Sequence, residues 1–314
     1  MWVGAGVGVA IAAASIFALA QMLPDLSWQD IQAAYASVPL WKMILAGVVV
    51  AICYGALSLY DHIALETIGK RLPWRVTIAG SISAYALSHN LGLAPLTASG
   101  ARWRVYAPHG LNIPDIARIV VITGMSFWLG IIVLVGMGLI ITPASVSGLI
   151  PMLEAEAGAQ ILGIAIIAFD LGYLISIHRG AKTLGWRQIS IPLPGLRHAI
   201  LQNGLGAIEI ALATLALLLL TPGLGIEDYP VLFLAYLVAF MSVLITHAPG
   251  GIGVLELVII AMMPGYDKAE LLTGLLLFRV LFHVCPLIVA AGILTFSGRA
   301  RRALPLRSEE LATP

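Results

Sequence analysis

The sequence predicts an all-α polytopic membrane protein, and three observations support this fold class. Of its 314 residues, 60% are apolar and only 11% are charged, a composition typical of membrane proteins. Apolar runs of about 20 residues, the length of a spanning helix, recur along the whole chain. The segments between them are too short to form an independent soluble core. We therefore expect one integral membrane domain over residues 1–314.

Six apolar runs are predicted to cross the bilayer as full helices: Val3–Met22, Trp41–Ile68, Ile116–Ile141, Ile161–Ile177, Ala199–Leu220 and Leu271–Phe296. The first is interpreted as a retained helix rather than a cleaved signal peptide, because no basic residue precedes it. It opens an N-terminal region, residues 1–40, that ends in an interfacial segment. Residues 41–297 form the core, and residues 298–314 form a basic tail.

Two further apolar runs, Val76–Pro108 and Val231–Met263, are interrupted by glycine, proline and polar residues. The interruptions are predicted over Gly92–Gly100 in the first run and Pro249–Gly253 in the second. Non-helical backbone is tolerated at membrane depth only where protein or trapped water satisfies its polar groups. We expect each run to form a re-entrant helical hairpin that returns to the side from which it entered. Eight full spans are the alternative.

Basic residues predict the orientation. Eleven of the 17 lysines and arginines lie at residues 70–75, at residues 178–198 and after residue 298, which the positive-inside rule assigns to the cytoplasm together with both termini. The acidic loops at 24–39, 143–158 and 222–230 then lie outside. These loop assignments are consistent with one another only if the two hairpins enter the bilayer from opposite faces. The hairpins then meet near the midplane, as the discontinuous helices of transporters do.

Arg102 and Arg104 follow the first interruption, two residues apart. A guanidinium in hydrocarbon must be paired or hydrated, and its planar fork fits a phosphate group. One interpretation is that both arginines capture a lipid phosphate; the other is that they reach out to headgroups at the cytoplasmic interface. Asn90 and Thr97 add polar groups to the same segment.

Glu256 follows the second interruption, and Arg279 lies inside the last apolar run. The two residues form either a structural ion pair or a pair that opens to contact a zwitterionic or cationic headgroup. Gly250 and Gly251 either present backbone amides to an anion or allow helices to pack closely.

Three more acidic residues lie in apolar runs. Asp170 and Glu209 are deep within theirs and are candidates for function, with a structural pairing to Arg279 or to a backbone donor as the alternative. Asp61 lies beside His62 near the end of its run, which favours exposure at the interface over a proton relay.

No catalytic or cofactor-binding motif is present: the sequence has no P-loop, nucleophile elbow, zinc-protease motif or dinucleotide fingerprint. Cys53 and Cys285 lie in apolar runs without neighbouring ligands, so we expect neither a disulfide nor a metal site. A net charge of +1 gives no indication of nucleic-acid binding. We expect the lipid bilayer and a phospholipid headgroup as partners, and a homo-oligomer is compatible with the sequence.

Several motifs resemble a known family. The segments LSHNLGLAPLTASGARWRVY, DIARIVVITGMSFWLG, HAPGGIGVLE and LLFRVLFHVCP are similar to the membrane region of lysylphosphatidylglycerol synthases and to stand-alone membrane proteins of the YbhN type. The resemblance covers about residues 40 to 297. It implies a flippase-like translocase that moves a phospholipid, such as aminoacylated phosphatidylglycerol, across the bacterial inner membrane.

The resemblance also implies which residues matter: Arg102, Arg104, Pro249–Gly253, Glu256 and Arg279. The soluble aminoacyl-transferase half of the bifunctional members has no counterpart before Pro314, so it is expected only as a partner or as part of a longer chain. Two other functions stay open at this point. One is the membrane portion of a phosphatidylglycerol lysyltransferase, and the other is an ion-coupled transporter of a small solute.

Overall fold

The computed structural model of the chain describes residues 27–91, 94–141, 156–186 and 189–303, together with residue 17. Most of these residues are helical, which confirms the predicted all-α polytopic class. The helices are α1 (Trp28–Ser37), α2 (Leu40–Thr67), α3 (Trp74–Leu91), α4 (Ala94–Tyr106), α5 (Ile113–Ile141), α6 (Glu156–His178), α7 (Leu196–Leu220), α8 (Tyr229–Thr246), α9 (Val254–Met262), α10 (Lys268–Phe278) and α11 (Cys285–Ala303).

Six helical segments in the described ranges are long and apolar enough to cross a membrane. Five of them, namely α2, α5, α6, α7 and the continuous α10–α11 helix, correspond to predicted spans. The predicted first span, Val3–Met22, lies outside the described residues, as does most of the acidic loop at 143–158. The sixth segment is Ile226–Thr246, which contains α8. In the sequence-based prediction this segment belongs to the second hairpin.

The first interrupted run forms two helices, α3 and α4, that pack side by side. Helix α3 ends at Leu91 and α4 begins at Ala94, with residues 92–93 outside the described part. The predicted interruption over Gly92–Gly100 was therefore too long. Pro95 is compatible with helix because it lies in the first turn of α4, where a backbone N–H has no intrahelical acceptor.

Both ends of the α3–α4 pair lie on the same side of the molecule. The Tyr106 hydroxyl at the end of α4 is 3.0 Å from the carbonyl oxygen of Thr77, near the start of α3. Lys70, which precedes the pair, lies 3.5 Å from the Asp115 carboxylate, which follows it. The α3–α4 pair is therefore a re-entrant hairpin, as expected.

The second interrupted run has the same character. Helices α8 and α9 pack on each other. The residues that flank the pair also meet: Asp228 precedes α8, Tyr266 follows α9, and the Tyr266 hydroxyl donates to Asp228 Oδ1 at 2.8 Å. This bond to a carboxylate raises the pKa of Tyr266, so that its hydroxyl keeps the donated hydrogen. The α8–α9 pair thus returns to the side from which it starts.

The two hairpins enter from opposite sides. Thr67 and Lys70, near the open end of the α3–α4 hairpin, line a cavity together with Gly195 at the start of α7. At the other end of α7, Thr221 lies directly against Gly274 of α10, close to the open end of the α8–α9 hairpin. Because α7 runs from one face to the other, the hairpin openings lie on opposite faces. We call the face that contains Lys70 the basic face.

Helices α2 and α7 form the centre of the apolar core. Their facing residues are small or aliphatic and nearly fully buried, among them Ala46, Cys53, Leu57, Ala213 and Leu217. Helix α5 packs on α7 at a glycine contact, where a Cβ on Gly206 would lie 2.6 Å from the Cα of Gly130. Small residues permit this close approach, which maximises van der Waals contact between membrane helices.

A π-helical turn, Arg279–Val284, lies between α10 and α11. Pro286 follows it and explains the irregularity, since proline lacks an N–H and clashes with the carbonyl group four residues earlier, that of Phe282. The Tyr54 hydroxyl donates to this carbonyl oxygen at 3.1 Å. Single π-turns inside α-helices often mark functional positions, and this one carries Arg279.

The basic loop at 178–198 is partly β-structure. It contains an antiparallel pair of short strands, β1 (Thr183–Trp186) and β2 (Ile189–Pro192), with Thr183 opposite Pro192. The two ends of the loop lie together, because the Leu193 amide donates to the carbonyl oxygen of Lys182 at 2.9 Å, and the end of α6 and the start of α7 therefore both lie on the basic face.

Candidate functional site

The tip of the α8–α9 hairpin is an irregular turn with an unusual backbone. His247, Gly250, Gly251 and Gly253 all have positive φ angles, of 52°, 60°, 63° and 80°. This region is readily accessible to glycine but costs other residues about 1–2 kcal/mol. The glycines of the PGGIG sequence therefore permit a turn that directs backbone carbonyl groups towards the neighbouring helix.

Arg279 of the π-turn binds this tip with each of its guanidinium nitrogens. Its Nε and Nη2 face the two carboxylate oxygens of Glu256, with Nη2 2.9 Å from Oε2. Nη1 donates to the carbonyl oxygen of Gly250 at 2.8 Å, and Nη2 to that of Gly251 at 3.0 Å. Glu256 Oε2 also accepts from the Gly253 amide at 2.9 Å. The predicted pairing of Glu256 with Arg279 is therefore present, and it fixes the turn.

The tips of the two hairpins meet at this point. A Cβ built on Gly250 would lie 3.3 Å from the carbonyl oxygen of Asn90, at the end of α3. The Asn90 side-chain amide donates to the carbonyl oxygens of Ala86, at 2.8 Å, and His283, at 3.0 Å. Asn90 therefore connects the first hairpin to the π-turn that carries Arg279.

A second buried ion pair lies in the α3–α4 hairpin. The Arg102 guanidinium binds Asp61 of α2 in bidentate geometry, with Nε to Oδ2 at 2.9 Å and Nη2 to Oδ1 at 2.6 Å. The Tyr106 hydroxyl donates to Asp61 Oδ2 at 2.7 Å. The side chains of Arg102 and Asp61 are 2% and 0% exposed. The expectation that Asp61 is exposed at the interface was therefore wrong, since its position near the helix end is covered by α4.

A row of aromatic rings lies between the two ion pairs. Arg102 Cζ lies 5.2 Å from the ring centroid of Tyr85. The Tyr85 ring is 6.1 Å from that of His89, one turn further along α3, and the His89 ring is 6.4 Å from that of His283. The Nδ1 atoms of both histidines are buried without a hydrogen-bond partner among the described residues. We call these residues, together with the ion pairs, the polar seam: Asp61, Tyr85, His89, Arg102, Glu256, Arg279 and His283.

The other two acidic candidates flank the polar seam. Glu209 of α7 is 4% exposed, and Tyr60 of α2 donates to its Oε2 at 3.4 Å. Asp170 of α6 accepts from the Asn203 amide of α7 at 2.7 Å. Neither carboxylate forms an ion pair with Arg279 or with any other described cation. The structural pairing with Arg279 that the sequence offered as an alternative is therefore absent.

Arg104 and Thr97 both belong to α4. Arg104 is exposed, and its Nε donates to the carbonyl oxygen of Leu294 in α11 at 2.7 Å. It therefore points away from Arg102, despite their separation of only two residues. Thr97 is partly buried in α4, on the same hairpin. Within the part of the chain that the structure describes, Arg104 forms no hydrogen bond to Arg279, Glu256 or the glycine turn.

Sequence reasoning missed Tyr85, Tyr106 and His283. Their signal lay in helical spacing, because Tyr85 and His89 are four residues apart, as are Arg279 and His283, and such pairs share a helix face. Within the described residues no group of three or more His, Cys, Asp or Glu side chains could hold a metal ion. The two cysteines are unpaired thiols.

The fold and these residues define a polytopic helical membrane protein with two opposed re-entrant hairpins and a charged centre between them. No protein-family model matches the sequence. The chain is 28% identical over 286 residues to an uncharacterised protein of Synechocystis sp., over 90% of this chain and 88% of that protein. It is also 28% identical over 273 residues to the inner membrane protein YbhN of Escherichia coli, over 84% of this chain and 83% of YbhN.

These relatives support the YbhN-type part of the resemblance and the assignment as a multi-pass membrane protein. The similarity extends over most of each chain. The resemblance to lysylphosphatidylglycerol synthases stays a prediction.

Proposed function

We propose that this protein is a lipid translocase that moves a phospholipid headgroup, of the aminoacylated phosphatidylglycerol class, across the inner membrane. The observation that supports this most directly is the meeting of two oppositely entering hairpins at a charged centre. Helices interrupted in this way create substrate sites in transporters, because their ends supply polar backbone groups inside the bilayer. The acyl chains remain in the bilayer while the headgroup passes between the hairpins.

Arg279 and Glu256 have the chemistry for such a headgroup. A phosphate group offers a guanidinium two oxygen atoms in the same arrangement as the Glu256 carboxylate does. When the hairpins part, Arg279 exchanges the carboxylate for the lipid phosphate. Glu256 is then free to bind an ammonium group on the same headgroup. A lipid with both groups satisfies both partners, and a lipid with phosphate alone leaves Glu256 unpaired.

Arg102 does not take this role in the proposal. Its bidentate bond to Asp61 is sealed from solvent, and removal of either partner would leave a buried charge. The side chain of Arg279 is 17% exposed, so a ligand can approach it. Phosphate binding, which the sequence suggested for Arg102 and Arg104, is therefore assigned to Arg279.

A cavity on the basic face gives the headgroup a place to arrive. It has a volume of about 520 Å³ and lies between the end of α2 and the start of α7. Lys70 and Arg71 contribute to its lining, together with Glu66 and His198, which lie 3.3 Å apart. The two cations favour an anionic headgroup. By the positive-inside rule this face is cytoplasmic, so the proposed movement is outward.

The test uses the purified protein in phosphatidylcholine vesicles that contain fluorescently labelled lysyl-phosphatidylglycerol or phosphatidylglycerol. A membrane-impermeant reductant bleaches the label in the outer leaflet, and the rate of further bleaching reports translocation. We expect Arg279→Ala to slow both lipids by about ten- to one-hundredfold, since a hydrogen bond to a charged group contributes about 1.5–3 kcal/mol. Glu256→Gln should slow the lysyl lipid more than the unmodified one.

Arg118→Ala serves as the matched control, because Arg118 is also an arginine but is 54% exposed and forms only a 3.9 Å contact to Asp115. It should transport at the wild-type rate. Equal rates for wild type and Arg279→Ala, with both proteins folded, would contradict the proposal. So would a wild-type rate no higher than that of protein-free vesicles.

A further inference from the structure

Glu209 differs from the other buried acidic residues of the described chain in having no strong partner. The others have one: Asp61 binds Arg102, Asp115 lies near Lys70, Asp170 accepts from Asn203, and Glu256 binds Arg279. The Glu209 side chain accepts a hydrogen bond from the Tyr60 hydroxyl, and this bond is long at 3.4 Å. An ionised carboxylate at this position would be uncompensated.

Among the described residues, the surroundings of Glu209 contain further titratable groups but no cation. Tyr54 and Tyr60 approach from α2, Tyr85 from α3 and Tyr236 from α8. The Cys53 thiol of α2 lies 3.8 Å from the backbone oxygen of Glu209 itself. All of these groups are neutral when protonated, and both arginines of the polar seam are already bound to carboxylates. The ligand that suits this site is a proton, which neutralises the carboxylate and requires no cavity.

Asp170 and Asn203 form a second site of the same kind. Asn203 Nδ2 donates to Asp170 Oδ2, while Asp170 Oδ1 and Asn203 Oδ1 are both buried acceptors without a donor. A proton on Asp170 Oδ1 turns one of these acceptors into a donor for the other. Buried polar groups are nearly always satisfied, so this acid–amide pair also favours the protonated acid. Asn203 precedes Glu209 by six residues of α7, about 9 Å along the helix, on the side of the basic face.

Glu209 is also connected to the hairpin tips. The ring of Tyr60, its hydrogen-bond donor, lies 6.4 Å from that of Tyr85. Tyr85 and Tyr54 both flank His89, at 6.1 Å and 6.3 Å, and His89 adjoins Asn90 at the tip contact. Separation of the hairpins therefore changes the packing around Glu209 and can open it to water.

We propose that Glu209 binds a proton whose uptake and release are coupled to opening of the hairpins, with Asp170 as the relay towards the basic face. Lipid movement is then driven by a proton gradient. One proton from water on one side adds to a carboxylate oxygen of Glu209, and the same proton returns to water on the other side. The coupling rests on the proposed lipid translocation, whereas the proton site itself does not.

Infrared spectroscopy of the reconstituted protein tests the proton site alone. We expect the neutral-pH spectrum to contain the carbonyl stretch of a protonated carboxyl group that is absent from Glu209→Gln. Asp170→Asn should remove a second such band. Asp30→Asn is the control, because Asp30 lies on an exposed helix and accepts hydrogen bonds from Ser27; it should remove no protonated band. If Glu209→Gln removes only ionised carboxylate bands, Glu209 is charged and the proposal fails.

The coupling is tested with labelled phosphatidylglycerol in vesicles that carry a pH gradient. Wild-type translocation should accelerate when the gradient is imposed and return to its starting rate when a proton ionophore collapses it. Glu209→Gln should lose this response. A response of wild-type size in Glu209→Gln would overturn the coupling. If wild-type protein moves no lipid while the protonated band is present, the lipid proposal falls and the proton site stands.

Discussion

The two arginine–carboxylate pairs of the polar seam are chemically alike but differ in how they are held. Arg102 and Asp61 join α4 to α2 and are sealed by Tyr106. Arg279 and Glu256 lie at the hairpin tips, and half of the Arg279 contacts are to backbone carbonyl groups of a glycine turn. The exposed fraction of the arginine side chain is 2% in the first pair and 17% in the second.

This difference indicates that one arginine–carboxylate pair has a structural role and the other a functional role. A buried bidentate pair between two packed helices has no reason to open, and its loss damages the fold. A pair that depends on a turn of positive-φ residues can rearrange when the turn moves. We therefore regard Asp61–Arg102 as the anchor of the first hairpin and Glu256–Arg279 as the exchangeable contact between hairpins.

The largest expected effect comes from breaking the anchor. Arg102→Ala leaves the Asp61 carboxylate buried without a cation, which costs about 3–5 kcal/mol of unfolding free energy. Unfolding in mixed detergent micelles measures this loss. The double variant Asp61→Leu, Arg102→Met removes both charges and should recover most of the stability. If Arg102→Ala is as stable as wild type, the pair does not anchor the hairpin.

A smaller effect is expected from the turn that holds the second pair. Gly250→Ala places a Cβ in a positive-φ position, 3.3 Å from the carbonyl oxygen of Asn90, and should destabilise the protein by about 1–2 kcal/mol. The control is Gly100→Ala in α4, where nothing lies within 4 Å of the added Cβ and alanine favours the helix by up to about 1 kcal/mol. If Gly250→Ala lowers the free energy of unfolding and Gly100→Ala raises it in the same assay, the contrast between the hairpins is supported. Equal changes in the free energy of unfolding contradict it.

The smallest effect concerns the link between the hairpins. Asn90→Ala removes the donor that the His283 carbonyl oxygen uses, and one such hydrogen bond contributes about 1 kcal/mol. Because the link lies at the exchangeable contact, we expect translocation to change more than stability does. A change in stability with an unchanged translocation rate would show that Asn90 only supports the fold.

Much of the fold could be predicted because membrane helices are specified by local composition. The spans from Trp41 to Phe296 were predicted within a few residues of their observed ends, since about 20 apolar residues suffice to identify one. Both hairpins were also predicted, from the conflict between their interruptions and the positions of the basic loops. The first interruption was predicted too long, because proline and glycine at Pro95–Gly100 are compatible with the first turns of a helix.

The site was predicted only in part. The pairing of Glu256 with Arg279 was expected because two opposite charges inside apolar sequence require each other. The partner of Arg102 was not predicted, since Asp61 lies 41 residues away on another helix. The position of Asp61 near the end of its apolar run favoured exposure at the membrane interface. The unpaired state of Glu209 also depends on what surrounds it, which no local pattern reports.

The sequence by itself determined that this chain lies in a membrane, which stretches cross it and which are interrupted, because each of these follows from the hydrophobicity and backbone preferences of neighbouring residues. Only the tertiary structure decided which charges neutralise each other. Ion pairs join residues that are distant in sequence, and helix packing alone decides that Arg102 meets Asp61 and that Glu209 meets no cation among the described residues.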